Sequence, residues 1–187
     1  MEENGTDQLE YYLSSLNELS EILIDADRVD SVGTGILRLT LGTVMASKGA
    51  IFLYNKNKEI STLSKRGFDL PVPLFMSSAE LDTLKNHKHG HLMLPIEDKG
   101  HNSETFEHLT KEKAKIALPL FHKNNFLGLL CVGSKFMGEK YSSVDIKILE
   151  IIAGHLTKAL YNYQLLNEVE KKKTEIQGKN LEIQGKT

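Results

Sequence analysis

Apolar residues near the start of the chain recur at spacings of three and four: Leu9, Tyr12, Leu13, Leu16, Leu19, Ile22 and Leu23. This period predicts an amphipathic helix over about residues 8–24, with one face for a core or a partner seam. The Asp25-Ala26-Asp27-Arg28 stretch interrupts it, and Asp30 or Ser31 is placed to cap a second helix. That helix carries Val32, Ile36, Leu39, Leu41, Val44 and Met45, and ends near residue 46. Gly33, Gly35 and Gly42 each cost it up to about 1 kcal/mol against alanine. Their presence predicts close packing against another backbone.

The period then changes. Gly49-Ala50-Ile51-Phe52-Leu53-Tyr54, the turn residues Asn55-Lys56-Asn57-Lys58, and residues 59–65 read as a β-hairpin. Residues 66–115 are mixed. They predict a short helix over 78–85, a strand over 91–95 and a second short helix around Thr105-Phe106-Glu107-His108-Leu109. Two strands follow, 115–121 and 126–135, about a turn at 122–125. Phe126-Leu127-Gly128-Leu129-Leu130-Cys131-Val132 is apolar on both alternating faces, which predicts a central strand covered on both sides. Pro119 predicts a bulge or an edge in its neighbour. Ser142 followed three residues later by Asp145, with Tyr141 and Ile146 as a staple, is a strong helix start.

The helix that follows has no stop signal before Gly178. Its seam runs through Leu149, Ile152, Leu156, Ala159, Tyr163 and Leu166, and Val169, Ile176 and Ile183 continue at seven-residue spacing on a shifted phase. Residues 167–187 are polar apart from that column and repeat Glu-Ile-Gln-Gly-Lys at 175–179 and 182–186. They read as a coiled-coil-like extension that pairs with a second copy, a homodimer being the default symmetry. The organisation expected is a disordered start at 1–7, one domain at 8–166 and a coiled-coil linker at 167–187.

Composition narrows the class. A 187-residue chain is one domain with appendages. A single cysteine, Cys131, excludes an internal disulfide framework and a multi-cysteine zinc site, and suits a reducing cytoplasm. No apolar run reaches the roughly 18 residues of a membrane span. The first residues are acidic where a secretory leader would be basic and then apolar. Residues 1–30 hold nine acids and one base, whereas 31–135 hold nine acids and fourteen bases. The basic middle is too dispersed, and too little interleaved with aromatics, for a nucleic-acid surface. It suits a small anionic ligand or simply a solvated surface.

Three segments together resemble a GAF domain: residues 46–54, the pair 117–120 and 127–133, and Tyr141-Ser142-Ser143-Val144-Asp145 leading into the last helix. The resemblance covers about residues 8–166. It implies an α+β fold, with an antiparallel sheet, helices on one face and a ligand pocket on the other. It further implies a non-catalytic regulatory module that dimerises through its terminal helices. Such modules precede an output domain such as a diguanylate cyclase, a phosphatase or a histidine kinase, and the polar end at Thr187 reads as a point where a longer chain continues. The family's cyclic-nucleotide signature is partly present. Lys135 and Asp145 match it as a structural pair, Tyr141 is similar, and Ser134 and Ile146 depart from it.

The ligand that the resemblance implies is a small molecule, with a cyclic nucleotide first. Cys131 stands where some cyclic-GMP binders place a guanine-reading glutamate, and a thiol cannot accept guanine's two donors. Cyclic AMP is therefore favoured over cyclic GMP. The candidate ligand residues are Ala50, Phe68, Asp69, Met76, Ser77, Ser78, Phe106, Leu109, Thr110, Ala117 and Cys131. Phe68 could stack on a base or serve the core. Ser77 and Ser78 could bind a phosphate at a helix start or only cap it. A ligand-less GAF module that only dimerises its neighbours is the alternative.

Other chemistry is discounted. His87, His89 and His91 alternate as metal ligands can, yet no carboxylate or cysteine cluster completes a site, and no metal is expected. Haem through these residues, His101 or His108 is weaker still. His155 is expected to pack near the helix seam. Cys131, buried in a strand, is expected to be inert. No phosphate-binding glycine loop or compelling carboxylate pair appears.

Overall fold

The computed structural model describes residues 10–11, 14–15, 17–22, 29–86, 90–96 and 103–185. The expected disordered start, most of the histidine triplet and His101 lie outside these residues. The described residues between 10 and 22 are helical. They are followed by α1 (Val29–Val44), β1 (Gly49–Tyr54), β2 (Glu59–Arg66), β3 (Leu74–Phe75) and α2 (Ser78–Lys85). Next come β4 (Leu92–Met93), α3 (Glu104–Lys111), β5 (Ile116–His122), β6 (Asn125–Val132) and α4 (Ser143–Gly185).

The six strands form one sheet in the order β3-β2-β1-β6-β5-β4, with every neighbouring pair antiparallel. Strands β1 and β6 are central, as their unbroken apolar runs require. Their side chains alternate between two buried clusters. Ile51, Leu127, Leu130 and Val132 face α1 and α4, whereas Ala50, Phe52, Leu129 and Cys131 face the opposite side. Gly128 allows β1 and β6 to approach, because a Cβ there would collide with the Phe52 carbonyl. The sheet register shifts between Leu120 and Phe121, next to Pro119. Since β4 pairs only with Ile116 and Ala117, Pro119 sits where that side of β5 is open.

The first core joins Leu19, α1, the sheet and the first half of α4. Gly33 and Gly35 fit against side chains rather than backbone: Leu63 and Ile22 stand 2.8 and 2.9 Å from where their Cβ atoms would be. At Gly42 nothing lies within 4 Å, so the expected close packing fails there, and its carbonyl instead accepts from the Tyr11 hydroxyl at 2.8 Å.

Several boundaries differ from the sequence reading. Helix α1 is already formed at Val29, before the expected caps, and stops at Val44. Met45 turns to a φ of 59°, and Ala46 bridges to Lys135. The predicted strand 91–95 shrinks to two residues. Pro95 has no N–H to continue a ladder, and His91 bonds to Glu150 at 2.7 Å. Helix α4 runs through Gly178 to Gly185, because an interior glycine weakens a helix without ending it. His155 is exposed, on the side of α4 that faces away from the sheet.

The start of α4 is as predicted and gains a partner. The Ser142 N–H donates to Asp145 Oδ2 at 3.0 Å, and the Asp145 N–H donates to Ser142 Oγ at 3.1 Å. Lys135 Nζ meets the same Asp145 oxygen at 2.7 Å, with the carboxylate side chain only 3% exposed. The Tyr141 hydroxyl donates to the Gly133 carbonyl at 2.6 Å, and burial, then the Asp145 charge, push its pKa up. This network ties β6 to the helix that leaves the domain.

Candidate functional site

On the face of the sheet away from α1 and α4, register places three small residues side by side. Ala50 pairs with Cys131, and Cys131 pairs with Ala117. All three are fully buried. This row forms a shallow floor, bordered along the strands by Phe52 and Leu129. The cover comes from short pieces: the 68–76 stretch with β3, helices α2 and α3, and β4. They contribute Phe68, Leu70, Leu74, Met76, Leu84, Leu92, Leu94, Phe106 and Leu109. Met76 and Leu109 are fully buried.

The polar groups around this layer are nearly all committed. Ser77 caps α2: its hydroxyl accepts from the Glu80 N–H at 3.3 Å, and its own N–H donates to Glu80 Oε2 at 3.3 Å. Ser103 caps α3 by accepting from the Phe106 N–H at 3.1 Å. The Thr110 hydroxyl donates to the Phe106 carbonyl at 2.8 Å. Lys48 turns its ammonium to the Glu112 carbonyl at 3.4 Å, with the Phe68 ring below it. Ser78 is exposed and accepts from Lys58 Nζ at 3.4 Å. The Asp69 side chain is 95% exposed, and its N–H donates to Glu112 Oε2.

Thr105 is the exception. It is 1% exposed, and its Oγ1 has no hydrogen-bond partner among the described residues. A buried hydroxyl without a partner costs about 1–3 kcal/mol. Thr105 lies one turn before Leu109, on the same buried face of α3.

The rim of the layer is acidic. Glu80 and Glu104 stand in the first turns of α2 and α3. Burial raises the Glu80 pKa, the Ser77 backbone N–H lowers it, and the Glu104 charge raises it again. Tyr54 beside them is likewise raised, by burial and then by Glu80. Burial alone pushes the Cys131 thiol far up, so it stays neutral and unreactive.

The structure therefore gathers seven of the candidate residues into one buried cluster: Ala50, Phe68, Met76, Phe106, Leu109, Ala117 and Cys131. It leaves Asp69 and Ser78 outside that cluster, makes Ser77 a helix cap, and sets Thr110 on the outer side of α3. Thr110 and Phe106 line a cleft of about 280 Å³ with Pro95, Ile96, Ser103, Glu107 and Lys111. Sequence reasoning missed Thr105 and the Glu80–Glu104 rim. The only local signal for Thr105 is its i, i+4 relation to Leu109. Among the described residues no three histidine, cysteine or acidic side chains form a metal-binding group. His91 is instead drawn to Glu150 on α4.

Beyond the domain, α4 changes character. It is buried at Ile148, Leu149, Ile152, Leu156 and Leu160, and Tyr161 stacks on His122 with ring centroids 3.7 Å apart. Over residues 162–185 it is buried nowhere. That stretch is about 36 Å of helix. Val169, Ile176 and Ile183 form an exposed apolar column along it. No helix among the described residues is long and apolar enough to cross a membrane.

No protein-family model matches the sequence, and no curated protein matches it. Solved structures do. The GAF domain of a phosphoenolpyruvate-protein phosphotransferase from Coxiella burnetii superposes with a TM-score of 0.66 at 11% identity, over 85% of this chain and 98% of that one. The GAF domain of a protein named as a sensor histidine kinase, from Pseudomonas syringae pv. tomato, gives 0.62 at 18% identity, over 92% and 99%. A phycoerythrobilin-bound GAF domain from a cyanobacterial phytochrome gives 0.59 at 13%, over 83% and 97%. The chain has the GAF fold, an α+β architecture used by regulatory and sensory modules of signalling proteins.

Proposed function

We propose that this chain is a non-catalytic GAF module that senses a small molecule on its α2/α3 face, pairs with a second copy, and passes the signal along α4. An output domain such as a diguanylate cyclase, a phosphatase or a histidine kinase receives it, in a cytoplasmic protein. The observation that carries this reading is the continuity of α4. One helix forms part of the core beneath the sheet and then presents a bare apolar column beyond it.

An exposed apolar column of this kind suits pairing with a second copy. Lys172 and Lys179 flank it on one side, Leu166, Lys173 and Asn180 on the other, and Glu168, Glu175 and Glu182 lie further round the helix. Sedimentation of the full chain tests this: a dimer is expected, and a monomer at every concentration would remove the transmission reading.

Among cyclic nucleotides, cyclic AMP stays ahead of cyclic GMP, because Cys131 on the sheet floor cannot read guanine. Both carry a phosphate, and the ammonium over this cluster, that of Lys48 beside the Phe68 ring, is turned to the Glu112 carbonyl. The dense apolar packing of that cluster favours a second reading, a ligand-less module that only dimerises. Melting curves with cyclic AMP, cyclic GMP and cyclic di-GMP separate the two. A ligand at a hundred times its Kd adds about 2.7 kcal/mol of stability.

A further inference from the structure

We infer that the α2/α3 face takes an uncharged, largely apolar molecule carrying one hydrogen-bonding group, and that Thr105 reads that group. The inference rests on the sensor reading above and names the class of its ligand.

The sheet floor is a row of small side chains, Ala50, Cys131 and Ala117, where its borders are large. The side chains packed between floor and cover are apolar but for the neutral thiol and the Thr105 hydroxyl. An anion would lose its hydration among them, and the Lys48 ammonium, 5.8 Å from the Phe68 ring, is already turned to the Glu112 carbonyl. Helix starts often hold anions, yet here each start already carries its own acid, Glu80 on α2 and Glu104 on α3. Each helix start therefore holds an acid where a phosphate or carboxylate would bind, with Lys58 Nζ reaching Ser78 on α2.

One polar atom is unanswered. The Thr105 hydroxyl is buried on the face of α3 that carries Leu109 into this layer, and no described group bonds to it. A ligand with a single donor or acceptor would satisfy it. The cleft of about 280 Å³ between Pro95–Ile96 and α3 leads to the same layer, since Phe106 belongs to both.

Indole tests this, being apolar, uncharged and equipped with one N–H. Indole-3-acetate adds only a charge, and cyclic AMP is the anionic comparison. Melting curves of the full chain should rise with indole and stay unmoved by the other two. Without ligand, Thr105→Val should melt no lower than the unaltered chain, having no hydrogen bond to lose. It should bind indole about fivefold more weakly, the size of one neutral hydrogen bond, and Thr105→Ser should restore the affinity. Equal indole binding by Thr105→Val would remove the role of Thr105. A shift with cyclic AMP or indole-3-acetate and none with indole would overturn the ligand class while leaving the sensor reading standing. No shift with any of the three would make the face a closed core, and both readings would fall.

Discussion

Strands β1, β6 and β5 are covered differently on their two sides. Beneath the sheet, α1 and α4 lay long apolar stripes against it, and Lys135, Asp145 and Ser142 lock the start of α4. Above it, the cover is two two-turn helices, two two-residue strands and loops. Both sides are buried, yet among the described residues the upper one holds an unpaired hydroxyl and gathers like charges at its rim. Burial alone therefore does not tell a scaffold from a working surface. The length of the covering elements and the satisfaction of their polar groups do.

The sharpest contrast should come from Asp145. Asp145→Ala removes the partner of a nearly buried lysine and one side of the α4 cap. It should cost about 3–5 kcal/mol in chemical denaturation. A loss under about 1 kcal/mol would mean that the lower side is not anchored there.

Leu149 on α4 and Leu109 on α3 are both fully buried. Leu149→Ala should lower global stability by about 3 kcal/mol. Amides of α3 should exchange with solvent through local openings a few kcal/mol below the global value, while those of α1 exchange only by global unfolding. Equal protection of α1 and α3 would erase the distinction between the two sides.

The projecting half of α4 should respond without the domain. Ile176→Asp should raise the dimer Kd at least tenfold, about 1.4 kcal/mol, seen by sedimentation. The melting of the domain itself should move by no more than about 0.5 kcal/mol.

The smallest effect concerns the acidic rim. The folded Glu80 pKa lies above its ordinary 4.5, through burial first and Glu104 after. The native state therefore holds a proton that the unfolded chain has released, and stability falls as pH rises through that window. Glu80→Gln keeps the cap and removes the charge. It should stabilise the chain slightly at pH 7, by under about 0.5 kcal/mol, and not at pH 4.

Much of the architecture was legible from local pattern. Strand β6 declared itself central by a run apolar on both faces, β1 showed as half of a hairpin, and the Ser142–Asp145 cap showed by its spacing. Helix α2 matched residue for residue, because Ser77 and Glu80 form a capping box. The site was legible only in part. Seven candidates converge, three from strands and four from loops and a helix, since all are apolar and are buried on one side of the sheet. Ser77 and Ser78 did not join them, because a serine at a helix start looks the same whether it caps or binds.

The sequence by itself determined the order of elements apart from β3, the central place of β6, the start of α4 and the apolar column at its far end. Each follows from period and spacing, which are properties of neighbours along the chain. Tertiary structure alone decided that Ala50, Cys131 and Ala117 lie in one row and that Thr105 is left unpaired among the described residues. Those facts depend on strand register and on which helix covers which face. They join residues up to eighty apart, and no local propensity encodes them.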